Sequence, residues 1–295
     1  MMAEHPNNHD RPHLVRHDTG SGVCVWTDSK LAQSGVLVAF SERLGGMSAA
    51  PCDSLNLAAH VGDDPGAVDV NRDKLLNALG IGGLRRRLVT AQQVHGDRVC
   101  EVCEADAGAG AYASGTPPLA GVDALMTRLP DTPLLLMYAD CVPVVLVAPP
   151  PATAVCVVHA GWRGALKGLP GRSARALALM SGCAPASLHA YIGAHIGQCC
   201  YQVGEDILSQ FRTTFDTIGA VVGGLDLAAA VRESLVRAGL AEEGIVELGV
   251  CTRDHTDRFF SYRASAITGR HGALAVITKG EYDESASSAE QRQST

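Results

Sequence analysis

Tyr138-Ala139-Asp140-Cys141, running on to His159-Ala160-Gly161-Trp162-Arg163-Gly164-Ala165-Leu166-Lys167-Gly168, is the stretch around which this chain is organised. Two apolar runs frame it, Leu134-Leu135-Leu136-Met137-Tyr138 and Ala154-Val155-Cys156-Val157-Val158. Both are short, leucine-rich or β-branched, and bounded by proline or polar residues, so both read as buried strands. The first ends at Cys141 and the second at His159. A small-residue turn then leads towards an amphipathic helix. Chemistry placed where a strand gives way to a turn is held firmly and stays reachable by a ligand. A third run, Leu88-Val89-Thr90, leads through Gln92-Gln93-Val94 to His95-Gly96. One cysteine and two histidines at strand ends offer the donors zinc prefers, and three protein ligands leave a fourth position for water or substrate. The competing reading is three unrelated buried residues, because no compact metal motif such as His-Glu-x-x-His is present.

The blocks Gln93-Val94-His95-Gly96, Ala139-Asp140-Cys141-Val142-Pro143 and His159-Ala160-Gly161-Trp162-Arg163-Gly164 resemble the signature of the YfiH/laccase-domain family. Further matching blocks are Gly45-Gly46-Met47-Ser48, Ser54-Leu55-Asn56-Leu57, Asn71-Arg72, Asp123-Ala124-Leu125-Met126-Thr127, Val203-Gly204-Glu205 and Phe259-Phe260-Ser261-Tyr262-Arg263. Together the blocks run in order from about Val36 to Ile277. The chain departs from the family at Ser41-Glu42, before the matching Arg43, and at Ala194 and Gln198, where prolines are usual. Composition alone supports a mixed α/β fold. The resemblance implies a single-domain α/β/β/α sandwich with mixed sheets.

The resemblance also implies a function. His95, Cys141 and His159 would be zinc ligands and the catalytic centre. Arg163, Arg43 and Asn56 are candidates for binding substrate, with loop stapling as the competing role for each. Asp140 is assigned structural support. The activity implied is phosphorolysis of purine nucleosides such as adenosine and inosine, with adenosine deamination and methylthioadenosine phosphorolysis beside it. Zinc would bring the pKa of a bound water from about 15.7 towards 7, which suits deamination. The alternative is a cysteine hydrolase that edits peptidoglycan precursors, with Cys141 as nucleophile and a histidine as base. Zinc would occupy the thiolate and compete with that role. A copper polyphenol oxidase, an older family label, ranks lower because copper would normally take more histidines.

The whole chain narrows the classes. Its 295 residues allow one large domain or two small ones, and 46% hydrophobic content supports a sizeable core. A net charge of −7 without a long basic run argues against nucleic acid or an anionic membrane as partner, and leaves purine nucleosides and phosphate. Nothing in the pattern sets an oligomeric state. The polar, histidine-rich start and the lack of a transmembrane-length run predict a cytoplasmic protein whose ten cysteines stay reduced. Cys100-x-x-Cys103 lies in an alternating stretch without a second half-site and is not read as a metal site. Residues 1–22 are expected to be a disordered tail, 23–278 the catalytic domain, and 279–295 a polar tail. Helices are expected over 64–79, 173–181, 206–215 and 225–240. Residues 104–121 read as a loop, and Arg85-Arg86-Arg87 as a solvated turn.

Overall fold

Strands buried on both faces decide the layering. The computed structural model describes residues 11–151, 153–218 and 224–279. One sheet holds five strands in the order β1 (Val15–Asp18), β2 (Cys24–Thr27), β3 (Val36–Ser41), β13 (His271–Ile277) and β8 (Leu134–Tyr138), all antiparallel. A second holds six, in the order β12 (Ile245–Glu247), β11 (His189–Ile192), β9 (Val142–Ala148), β10 (Ala154–Ala160), β7 (Ala124–Thr127) and β5 (Val99–Glu101). Its outer pairs, β11 with β12 and β5 with β7, are parallel, so the sheet is mixed. A short parallel pair, β4 (Ala91–Gln92) with β6 (Leu119–Ala120), stands apart.

The period of two along each strand sorts side chains between layers. Val36, Val38 and Phe40 of β3 and Leu134, Leu136 and Tyr138 of β8 join Val145, Val147, Val155 and Val157 in a core between the sheets. Their alternates Leu37, Ala39, Leu135 and Met137 pack against Leu75, Leu76 and Leu79, in and just after α2 (Pro65–Ala78). On the other side, Val144, Leu146, Cys156 and Val158 meet α4 (Leu169–Ser181) and α6 (Leu227–Arg237). The expected α/β/β/α sandwich is what results. α1 (Ser29–Gln33), α3 (Trp162–Leu166) and α5 (Glu205–Thr214) are the other α-helices among the described residues. Asp64 caps α2 by accepting from the amide of Ala67, with Pro65 at the first helical position, as its sequence suggests.

Several expectations are corrected. Part of the segment expected to be a disordered tail is a strand: β1 pairs with β2, and Arg16 forks onto buried Glu42 at 2.8 and 3.0 Å. His5 and His9 lie outside the described residues, as do residues 280–295. Arg85 is buried, not solvated, because Asp69 and Asp73 of α2 accept from it at 3.0 and 2.6 Å. The last long helix is shorter than expected, Leu227–Arg237. The central strand β9 has no counterpart among the expected elements. Its apolar run follows Cys141 so closely that it merged with the preceding strand, whereas residues 139–141 cross from one sheet to the other.

Candidate active site

The crossing at 139–141 explains why Cys141 stands where it does. It lies at the rim where the two sheets meet, between the end of β8 and the start of β9. His159 comes from the next strand, β10, where it pairs with Pro143. His95 follows β4 in a turn where its backbone has φ 58, in the left-handed region. Nδ1 or Nε2 of the two histidines and Sγ of Cys141 all lie within 4.8 Å of one another. The two imidazole rings meet edge to face at 4.8 Å.

Asp123 builds this arrangement. Its carboxylate accepts from the amides of His95 (2.9 Å), Gly96 (2.7 Å) and Val94 (3.3 Å), which holds the left-handed turn in place. The same carboxylate lies 2.8 Å from Nδ1 of His159, which leaves Nε2 for a ligand. Its main-chain carbonyl accepts from the amide of His159 at 2.7 Å. Gln93 ties the same turn to β8: its amide donates to the carbonyl of Met137 at 2.8 Å and accepts from that residue's N–H at 2.9 Å. Gly161 is required for space, since a Cβ there would stand 2.8 Å from Cδ2 of His95 and 3.3 Å from Sγ of Cys141.

The charges are coupled. Burial alone would push the Cys141 thiol up, but His159 and His95 overcome it and hold the thiol down at about 6. Burial would likewise lower His159, but the Cys141 thiolate and Asp123 raise it to about 9. Burial acts to raise Asp123, and the His159 ring and the amides of Gly96 and Val94 keep it below the usual carboxylate range. One soft thiolate, two imidazoles and a carboxylate orienting one of them suit a zinc-class cation.

The three donors open into a cavity of about 400 Å³, within the range of small-molecule sites. Arg163 lines it, with its guanidinium 4.4 Å from the Trp162 ring centre. Arg43 and Asn56 do not. Arg43 donates to the carbonyls of Asp53 and Thr256 and stacks on Phe260. Asn56 is fully buried, hydrogen-bonds Ala58 and Asp63, and accepts from the amide of Arg270. Both therefore close loops. Asp140 carries the structural role expected of it, accepting from the Thr252 hydroxyl and the Arg263 amide, each at 2.7 Å.

Sequence reasoning missed Arg263, Arg270, Tyr201, Tyr262 and His60, which all line the cavity. Arg263 and Tyr262 stood in a matching block, Phe259 to Arg263, without an assigned role. No local pattern marked Arg270 or His60.

A family model described as multi-copper polyphenol oxidoreductase laccase matches residues 37–278. Purine nucleoside phosphorylase YlmD of Geobacillus stearothermophilus is 35% identical over 259 residues, covering 84% of this chain and 92% of that protein. Purine nucleoside phosphorylase SCO2081 of Streptomyces coelicolor is 36% identical over 241 residues, covering 80% and 93%. The crystal structure of YlmD from Geobacillus stearothermophilus superposes with a TM-score of 0.82 at 32% sequence identity, covering 90% of this chain and 100% of that chain. That of the Bacillus licheniformis hypothetical protein YfiH gives 0.80 at 30%, covering 86% and 96%.

Proposed function

The chain belongs to the multi-copper polyphenol oxidoreductase laccase family, and from that membership and the site's geometry we propose that it is a zinc-dependent purine nucleoside phosphorylase. The observation that carries this reading is one cavity holding both the His95, Cys141 and His159 donors and three arginines, Arg163, Arg263 and Arg270. Phosphorolysis joins a phosphate oxygen to the anomeric carbon and breaks the bond to the purine nitrogen. The bonding pair stays on the base, which takes up a proton. A dianion must therefore be held beside a neutral nucleoside, and forked guanidinium groups suit that task. Tyr201 and Tyr262 offer aromatic faces for the base. Asp123 keeps His159 in one tautomer and so keeps its Nε2 directed at the site.

A zinc ion on His95, Cys141 and His159 would supply Lewis acidity and a water acidic enough to ionise near neutral pH. That chemistry also suits adenosine deamination, and methylthioadenosine phosphorolysis asks for the same contacts as adenosine. Three donors that include a thiolate favour zinc over copper redox chemistry. The other metal-capable group among the described residues contains no histidine.

The test is direct. Purified protein is incubated with adenosine or inosine, with and without phosphate, and metal is counted. Ribose 1-phosphate and free base are expected only when phosphate is present. Cys141→Ala is expected to lose the ion held with His95 and His159 and most of the turnover, while His5→Ala keeps both. Base release that ignores phosphate, or full metal retention in Cys141→Ala, overturns the reading. A second reading rests on the thiol held at about 6 beside a histidine at about 9, the pairing of a cysteine nucleophile with its acid–base partner. Chelator-treated protein that still hydrolyses peptidoglycan precursors, and loses that activity on thiol alkylation, would favour it.

A further inference from the structure

A second group of donors lies away from the cavity. Cys199, Cys200, Cys251 and Asp254 bring one ligand atom each to within 4.8 Å of the others. They come from two segments, the loop after β11 and the loop after β12. The amides of Cys200 and Tyr201 both donate to the carbonyl of Gly197, at 3.0 and 3.1 Å. That tight turn sets the two neighbouring thiols on one side of the chain, with sulfurs 3.5 Å apart. Asp254 faces both, at 3.2 Å from Cys199 and 3.1 Å from Cys200. The amide of Gly197 donates to Sγ of Cys251 at 3.3 Å.

We propose that these four side chains form a structural metal site for a thiophilic divalent cation of the zinc class. Cysteine used only as a small hydrophobe disperses into the core. Here three thiols converge on one carboxylate at the surface, with Cys199 and Asp254 exposed. Zinc–sulfur bonds of about 2.3 Å place tetrahedral sulfurs about 3.8 Å apart, close to the 3.5 Å between the sulfurs of Cys199 and Cys200. Three cysteines and one oxygen make a closed, four-donor set without an open position, which is the pattern of a structural rather than a catalytic ion. The Arg253 guanidinium beside Cys200 offsets part of the remaining negative charge.

The ion would clamp two walls of the cavity. The loop after β11 supplies Ile196 and Tyr201, and the loop after β12 supplies Tyr262 and Arg263. These loops already bond through His195 to Val250 at 3.2 Å, Thr252 to His195 at 2.9 Å, and Arg263 to the carbonyl of Gln202 at 2.6 Å. None of this depends on which reaction the cavity performs.

The experiment uses full-length protein carrying Cys141→Ala, which removes the thiolate of the first centre. It is reduced, stripped of metal and titrated with cobalt(II), then zinc(II). One equivalent of cobalt is expected to give strong thiolate-to-cobalt charge-transfer absorption, to be displaced by zinc, and to raise the melting temperature. Adding Cys251→Ser or Cys199→Ser should weaken that absorption, and the pair together should abolish it. Should Cys251→Ser fold poorly, the exposed Cys199→Ser and Asp254→Asn variants carry the comparison. Absence of the absorption, its full retention in the double variant, or rapid formation of a disulfide among these cysteines despite equimolar zinc would overturn the proposal.

Discussion

At the scale of single residues, Cys141 and His159 set how the first centre responds to pH. With the thiol held at about 6 and the imidazole raised to about 9, the metal-free pair is thiolate and imidazolium between those values. A metal takes the thiolate and the neutral ring, so binding in that window releases a proton from His159. Affinity should therefore rise with pH, about tenfold per unit, until it levels near the upper value. Below the lower value Cys141 adds its own proton and the slope steepens. Competition against a chromophoric chelator across the window checks this, and a flat profile would contradict it. Arg163 offers a second measurement. Charge-assisted hydrogen bonds contribute about 1.5–3 kcal/mol, so Arg163→Ala should cost about one to two decades in the phosphate-dependent reaction. Deamination, which uses no dianion, should fall less. Equal losses in both, with a lowered melting temperature, would make Arg163 a staple of the Trp162 turn.

At the scale of elements, β1 shows how a segment with the composition of a tail comes to hold a strand. Its sequence, Val15-Arg16-His17-Asp18, is polar and mostly exposed, so nothing local separates it from a solvated tail. What orders it is a buried partner 26 residues on. Glu42 is pushed up by burial, but Arg16, Arg258 and Trp26 hold it down at about 2. Arg16→Ala should therefore lower stability by roughly 1–2 kcal/mol, after allowance for solvent screening of a half-exposed guanidinium. Truncation at Gly22 should cost more, because it also removes an edge strand. Denaturant unfolding measures both, and two silent changes would restore the tail reading.

At the scale of the whole molecule, the core between the two sheets carries the site. Leu136 of β8 is fully buried there, on the strand that leads to Cys141. Leu136→Ala should cost about 2–5 kcal/mol by leaving a cavity. Metal content should be unchanged in the folded fraction, because Leu136 supplies no donor to the ion. Metal lost in step with stability would mean that the centre needs the whole interior to stay assembled.

Much was determined by the sequence alone. Short apolar runs marked β8 and β10, the helical pattern marked α2, and the His-Gly, Asp-Cys and His-Ala-Gly-Trp blocks marked the three candidate donors and the family. These signals are local, because a strand's alternation and a helix's cap are written in neighbouring residues. Only the tertiary structure decided the rest. It split one apolar region into β8 and β9 in different sheets, and made Asp123 the residue that orients His95 and His159. It put Arg263 and Arg270 in the cavity while turning Arg43 and Asn56 into loop braces, and it brought Cys251 and Asp254 to Cys199 and Cys200. Each of these depends on strand order and register between segments tens to hundreds of residues apart. No pattern of neighbouring residues encodes that proximity, since it exists only once the two sheets have closed on a common core.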